Sequence, residues 1–194
     1  MTQPYELVEL DAVFPTLCID LKYASADNIT GAPIYREARC LLHPDAAQAL
    51  SKSIHIAALA GLRLMVYDAY RPQQAQALLW QACPNPEYVV AVDIGSNHSR
   101  GTAIDLTLMD EQGRILDMGA GFDEMHDRSH AYHPSVPPAA QRNRLLLNAI
   151  MYGGGFVGIE SEWWHFELPN AASYPLLNDL FGCYAPKTIT TLPL

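Results

Sequence analysis

Apolar side chains recur at helical spacing over PDAAQALSKSIHIAALA, residues 44 to 60, where Leu50, Ile54 and Ala57/Ala58 repeat along one face and Gly61 is a natural stop. LRLMVYDAY, residues 62 to 70, is a nearly continuous apolar run and predicts a buried strand. Pro72 opens a second helix, PQQAQALLWQAC, in whose first turn its missing N–H is not needed. PAAQRNRLLLNAIMY predicts a third helix, ended by Gly153-Gly154-Gly155. Alternating apolar and polar positions mark strands elsewhere. LCIDLKYA, residues 17 to 24, alternates, and NITGAPIY carries a turn at Gly31-Ala32-Pro33. In SNHSRGTAIDLTL, residues 96 to 108, a polar turn with Gly101 leads into a strand. Ala103, Asp105 and Thr107 share one face of that strand; Ile104, Leu106 and Leu108 share the other. EQGRI reads as a hairpin-like turn, and a long loop follows from Gly119 to about Pro138, a length that often marks function. SEWWHFEL predicts a final strand. Helices followed by a mainly antiparallel sheet predict an α+β fold, a single compact domain over residues 1–194.

Composition narrows the class. With 194 residues, 49% hydrophobic and 17% charged, the chain can build a real core without staples. A net charge of −9 with no basic stripe argues against a nucleic-acid partner. The first residues, MTQPYELVELDAVFP, lack the basic and apolar regions of a secretory signal, and no apolar run is long enough for a membrane helix. Cys18, Cys40, Cys83 and Cys183 lie far apart with no CxxC pair, so they read as free or buried thiols of a reducing compartment. The expectation is a soluble, cytoplasmic protein.

Two of the seven histidines stand out by their neighbours. His98 precedes Asp105 by seven residues across a glycine turn, and His165 follows Glu162 by three, after two tryptophans. Two imidazoles and one carboxylate make a zinc set with a position left for water. Zinc lowers the pKa of water, and a nearby carboxylate, here Glu162, can take the proton. Asp105 sits among apolar neighbours, where an unpaired carboxylate would be costly. Glu162 and His165 would face opposite ways on a regular strand, so a bulge or turn before Trp163 is needed to bring them together. Each residue also has a plainer reading: Asp105 as a turn cap, and Trp163 and Trp164 as core. His43 and His55 read as structural, and His126, His130 and His133 as a solvated loop segment. Arg71, at a strand end, could bind a substrate carboxylate or an oxyanion, or simply pair with Asp68.

Ser96-x-His98-x-x-Gly101-x-Ala103-x-Asp105, Glu162-Trp163-Trp164-His165 and the DAYRP segment at 68 to 72 together resemble the zinc D-Ala-D-Ala dipeptidases of the VanX type. The likeness runs from the ADNITG and ARCLLH segments to WWHFEL. It implies the α+β fold shared by D-Ala-D-Ala metallopeptidases and the hedgehog signalling domain. It implies one zinc ion held by His98, Asp105 and His165, Glu162 as catalytic base and Arg71 as the group stabilising the transition state. Asp123 of the FDEM segment would recognise the free amine of a small dipeptide substrate, and Ser96 would help anchor it. The implied reaction is hydrolysis of D-alanyl-D-alanine to two D-alanines. A related D,D-carboxypeptidase acting on longer muropeptides, a non-haem Fe(II) oxygenase with two His and one carboxylate, and a metal-stabilised binding module are the competing readings.

Overall fold

In a computed structural model the protein is described for residues 6–179, 182 and 183. The chain opens with β1 (Val8–Glu9), the one-turn helix α1 (Leu10–Val13) and β2 (Cys18–Ile19). β3 (Leu41–Leu42) leads into α2 (Pro44–Leu59), β4 (Arg63–Asp68) and α3 (Gln73–Ala82). β5 (Ala103–Met109), α4 (Pro138–Gly154), β6 (Val157–Gly158) and β7 (His165–Glu167) complete the described elements. The main sheet has the order β2-β4-β5-β7-β6; only β2 and β4 run parallel, and β1 pairs with β3 in a separate antiparallel ribbon. The fold is α+β, as the pattern predicts.

Burial explains the layering. Ile104, Leu106 and Leu108 of β5, with Leu64, Val66 and Phe166 from its neighbours, form one core with Ala46, Leu50 and Ala57 of α2 and with Leu147, Ile150 and Met151 of α4. One face of the sheet is therefore covered by two helices. The opposite face of β5 carries Ala103, Asp105 and Thr107, and these too are buried, beneath the loops that build the site.

Register decides what that second face presents. Leu64 and Val66 stand opposite Leu108 and Leu106, facing the helices. An irregularity between Val66 and Asp68 then adds one residue to β4, so Asp68 stands opposite Asp105. Without it, period-two alternation would turn Asp68 into the helical layer.

Several predicted boundaries shift for physical reasons. LCIDLKYA keeps only Cys18–Ile19 as strand, because the chain turns into a 3-10 segment at Lys22–Ala24 that buries Tyr23. SEWWHFEL keeps only His165–Glu167, with a turn at residues 163–164. Pro72 sits at the cap just before α3 rather than inside it. α4 ends within the glycine triplet, as expected, at Gly154 with Gly155 as a left-handed cap at φ +111°, and close packing of α2 explains the glycine at 154. A Cβ on Gly154 would overlap Ser53 Oγ and lie 2.8 Å from the Ala49 carbonyl oxygen.

The long loop is tied down by a residue the sequence pattern did not single out. Arg144 of α4 is 1% exposed, and its Nε, Nη1 and Nη2 donate to the carbonyls of Met118, His130 and Arg128 at 2.6, 2.7 and 2.8 Å. One buried guanidinium thus gathers three carbonyls of the loop, of which His130's also accepts from the His133 amide at 3.1 Å. The four cysteines are free thiols, and among the described residues no helix is long and apolar enough to cross a membrane.

Replacing Gly154 with alanine forces α2 and α4 apart. We expect a loss of about 1–3 kcal/mol in urea unfolding, with metal content unchanged because the packing defect lies on the far side of the sheet. An unaltered urea midpoint would show that the helices can separate at no cost.

Candidate metal centre

Asp105 and His165 are directly opposed on β5 and β7, so their side chains rise from the same face. His98 reaches them from a 3-10 turn, His98–Arg100, that ends at Gly101 with φ +72°. A side chain at Gly101 would be strained at that angle and would put its Cβ 3.2 Å from the His43 amide nitrogen, so glycine lets the loop enter β5 tightly. The three candidate ligand atoms form a nearly equilateral triangle. His98 Nε2 to His165 Nδ1 is 3.1 Å, His165 Nδ1 to Asp105 Oδ1 is 3.1 Å, and His98 Nε2 to Asp105 Oδ1 is 3.3 Å. Ligands at zinc's usual distance of about 2.0 Å in tetrahedral geometry are separated by about 3.3 Å. All three residues are buried, and among the described residues this is the one His/Cys/Asp/Glu group whose atoms converge so closely.

The outer nitrogens of both imidazoles are committed elsewhere. His98 Nδ1 lies 2.8 Å from the Ala69 carbonyl, so it carries the hydrogen and leaves Nε2 as a lone pair. His165 Nε2 lies 2.9 Å from Glu167 Oε2, which leaves Nδ1 for a metal. Asn97 Nδ2 donates to the same Glu167 oxygen at 2.9 Å. Burial alone would lower the His165 pKa, but its hydrogen bonds to the Asp105 and Glu167 carboxylates outweigh it and raise it to about 10. Burial likewise opposes ionisation of Asp105, yet His98 and His165 hold its carboxyl well below the ordinary range. The spot favours positive charge, and a divalent ion satisfies that preference as well as a proton does. Donor types, spacing and field all fit one zinc ion at His98, Asp105 and His165.

Glu162 joins this group through the turn that the sequence called for. Its Oε2 is 3.9 Å from His165 Nδ1, on the same side as the ligands. Burial pushes its carboxyl up to about 8, against the pull of His165. Trp163 and Trp164 are core as well as site: both are buried, and their rings meet edge to face at 5.4 Å. Arg71 combines the two readings open to it. Its Nε donates to Asp68 Oδ2 at 2.8 Å, yet it also lines the cavity over the metal centre, with Nη2 3.4 Å from Asp105 Oδ2. Asp68 is fully buried and accepts from the Tyr35 hydroxyl at 2.6 Å.

The cavity has a volume of about 340 Å³ and is also lined by Asp123, Ser96 and Tyr23. Asp123 is held at φ +58°, an uncommon angle for a non-glycine residue. Its Oδ1 accepts from the Tyr23 hydroxyl at 3.0 Å, while Oδ2 is buried with no partner among the described residues. Burial pushes this carboxyl up to about 7, against the pull of Arg71. Ser96 Oγ accepts from the His98 amide at 3.2 Å, so it shapes the ligand turn as well as the cavity wall. His126, His130 and His133 do not converge: they meet Glu124, Glu87 and Ser135 respectively. His43 caps α2, accepting from the Asp45 amide, and His55 is exposed.

Glu167, Asn97, Tyr23, Tyr35 and Gln76 were not legible as site residues. Only Glu167 left a signal, a carboxylate two positions after His165 and so on the same strand face.

Comparison with known proteins gives a consistent picture. A family model described as D-ala-D-ala dipeptidase matches residues 3–187. The D-alanyl-D-alanine dipeptidase of Escherichia coli (strain K12) is 77% identical over 184 residues, covering 95% of each chain. The D-alanyl-D-alanine dipeptidases of Enterococcus faecalis (strain ATCC 700802 / V583) and Enterococcus faecium are 37% and 34% identical, each over 82% of this chain and 89% of the relative.

Glu167 orients a ligand without binding the metal. Substituting alanine should weaken zinc binding by about 10- to 100-fold, read by competition with a chromophoric chelator. Affinity equal to the parent would mean that the β5–β7 pairing alone orients His165.

Proposed function

The chain belongs to the D-Ala-D-Ala dipeptidase family, and from that we infer that it is a zinc metallopeptidase hydrolysing D-alanyl-D-alanine to two molecules of D-alanine. The observation that carries the reading is the closed ligand triangle with Glu162 beside it in a small buried cavity. A zinc ion held by His98, Asp105 and His165 supplies Lewis acidity, lowering the pKa of water and polarising a carbonyl. Glu162 takes the proton of the attacking water and passes one to the departing amine. Burial suits it to this, since a carboxyl raised towards neutral pH both accepts and returns a proton readily.

Arg71 supports the developing negative charge on the substrate oxygen. A guanidinium has five N–H groups, and Asp68, Gln76 and Asp105 each take one. One hydrogen remains on each terminal nitrogen, on a side chain that lines the cavity. Asp123 Oδ2 is suited to the free ammonium of the substrate, and Ser96 keeps its hydroxyl hydrogen for a substrate oxygen. This also favours a dipeptide over a longer muropeptide. A chain extended at its amino end would bury Asp123 against an amide and leave the carboxylate without a charge partner.

The direct test is D-alanine release from D-alanyl-D-alanine by zinc-loaded enzyme. Chelator-stripped protein should be inactive and recover on adding zinc, and Glu162→Ala should keep its zinc yet lose about 10²–10⁴ in kcat. Near-parental turnover in that variant would remove Glu162 as the base.

Asp123 predicts a pH signature. The substrate's ammonium pairs with the ionised carboxylate, and the free carboxyl titrates near 7. Binding below that value must first expel a proton, so KM should rise as pH falls from 8 to 6, by about tenfold per unit at the acid end. Asp123→Asn should flatten this limb. A KM that stays constant across the range in the parent enzyme would place the ammonium elsewhere.

A further inference from the structure

Gln76 is the candidate that the observations carry furthest. It lies in the first turn of α3, is 2% exposed, and is bonded at both ends of its amide. Nε2 donates to the Val90 carbonyl at 2.7 Å, and Oε1 accepts from Arg71 Nη1 at 2.9 Å. Only one amide orientation satisfies both, because a guanidinium offers no acceptor and a carbonyl no donor. Val90 belongs to the stretch from Pro86 to Gly95, several residues of which wall the cavity. Gln76 therefore joins the cavity wall to the arginine.

The other holders of Arg71 are shared. Asp68 also accepts from Tyr35, and Asp105 also serves His98 and His165, from a longer 3.4 Å contact. The Tyr23 ring lies against the guanidinium, 4.9 Å from Cζ, but a ring face does not set rotation within the plane. Asp68 on Nε and Gln76 on Nη1 are the two short in-plane anchors. Loss of either leaves the group able to swing about the other.

We propose that Gln76 is a positioning residue that locks the Arg71 guanidinium to the wall segment, so that its two remaining hydrogens are aimed at the reacting carbonyl oxygen. The proposal rests on the reading of Arg71 given above, and the test separates the two. Zinc-loaded parent, Gln76→Met, Arg71→Ala and the double variant are compared by kcat and KM for D-alanyl-D-alanine, with zinc content and Tm checked.

Gln76→Met should lower kcat about tenfold in the parent, because a misaimed group loses transition-state contact. In the Arg71→Ala background the same change should cost less than about twofold, since coupled residues are not additive. An equal loss in both backgrounds, or none in either, overturns the proposal. If Arg71→Ala itself leaves kcat intact, the reading of Arg71 fails instead. Should Gln76→Met not fold, Gln76→Glu carries the test. It keeps an acceptor for Arg71 but sets a carboxylate oxygen against the Val90 carbonyl and so breaks the link to the wall, and kcat should again fall about tenfold in the parent and less than about twofold in the Arg71→Ala background. Equal losses of kcat in both backgrounds, or none in either, would overturn the proposal.

Discussion

Asp105 and His165 meet because β5 and β7 are paired in one register and no other. On the opposite face of the same two strands, Ile104 and Phe166 are fully buried against the helical layer. A slip of one residue would turn those side chains towards the site and drive Asp105 into an apolar core. The hydrophobic face thus enforces the polar one. His98 comes from outside the sheet, but its turn is pinned to the same frame by the hydrogen bond from its ring to the Ala69 carbonyl and by the entry of Gly101 into β5. Everything chemical about the cavity inherits its precision from that apolar register.

The same pocket collects more acid than is ordinarily buried. Asp68, Asp105 and Glu162 are buried, and Asp123 presents a buried oxygen. Burial raises the carboxyls of Asp68, Asp123 and Glu162. Such a set is tolerable only with cations to match it. Arg71 supplies one, paired with Asp68 and Asp105. In the proposed function, a divalent ion and the ammonium of a free dipeptide would supply the others.

Motion of the surrounding loops is restrained by few, strong contacts. Arg144 gathers three carbonyls of the 118–130 loop, and the Trp163 amide donates to the Ser129 carbonyl at 2.9 Å, linking that loop to the turn that carries Glu162. Asp123 lies in the stretch so held. Its positive φ is sustained because both flanks are anchored and Tyr23 holds one carboxylate oxygen.

Much was readable along the chain. The periodicity of residues 44 to 60 and the apolar run before Asp68 marked α2 and β4, and the alternation after Gly101 marked β5 and its two faces. The metal ligands were legible because two His and one Asp, with Glu162 beside His165, stand in motifs that resemble those of a known family, whereas their helpers are ordinary residues. Nothing in the order of amino acids says that β4 takes in an extra residue at Val66/Asp68, that Gln76 bridges Val90 and Arg71, or that Ser53 packs so closely on Gly154 that no side chain fits there. Local sequence determines periodicity and donor chemistry, which act over a few residues. Only the folded chain decides which distant backbones come within hydrogen-bond reach, because that depends on how whole layers pack.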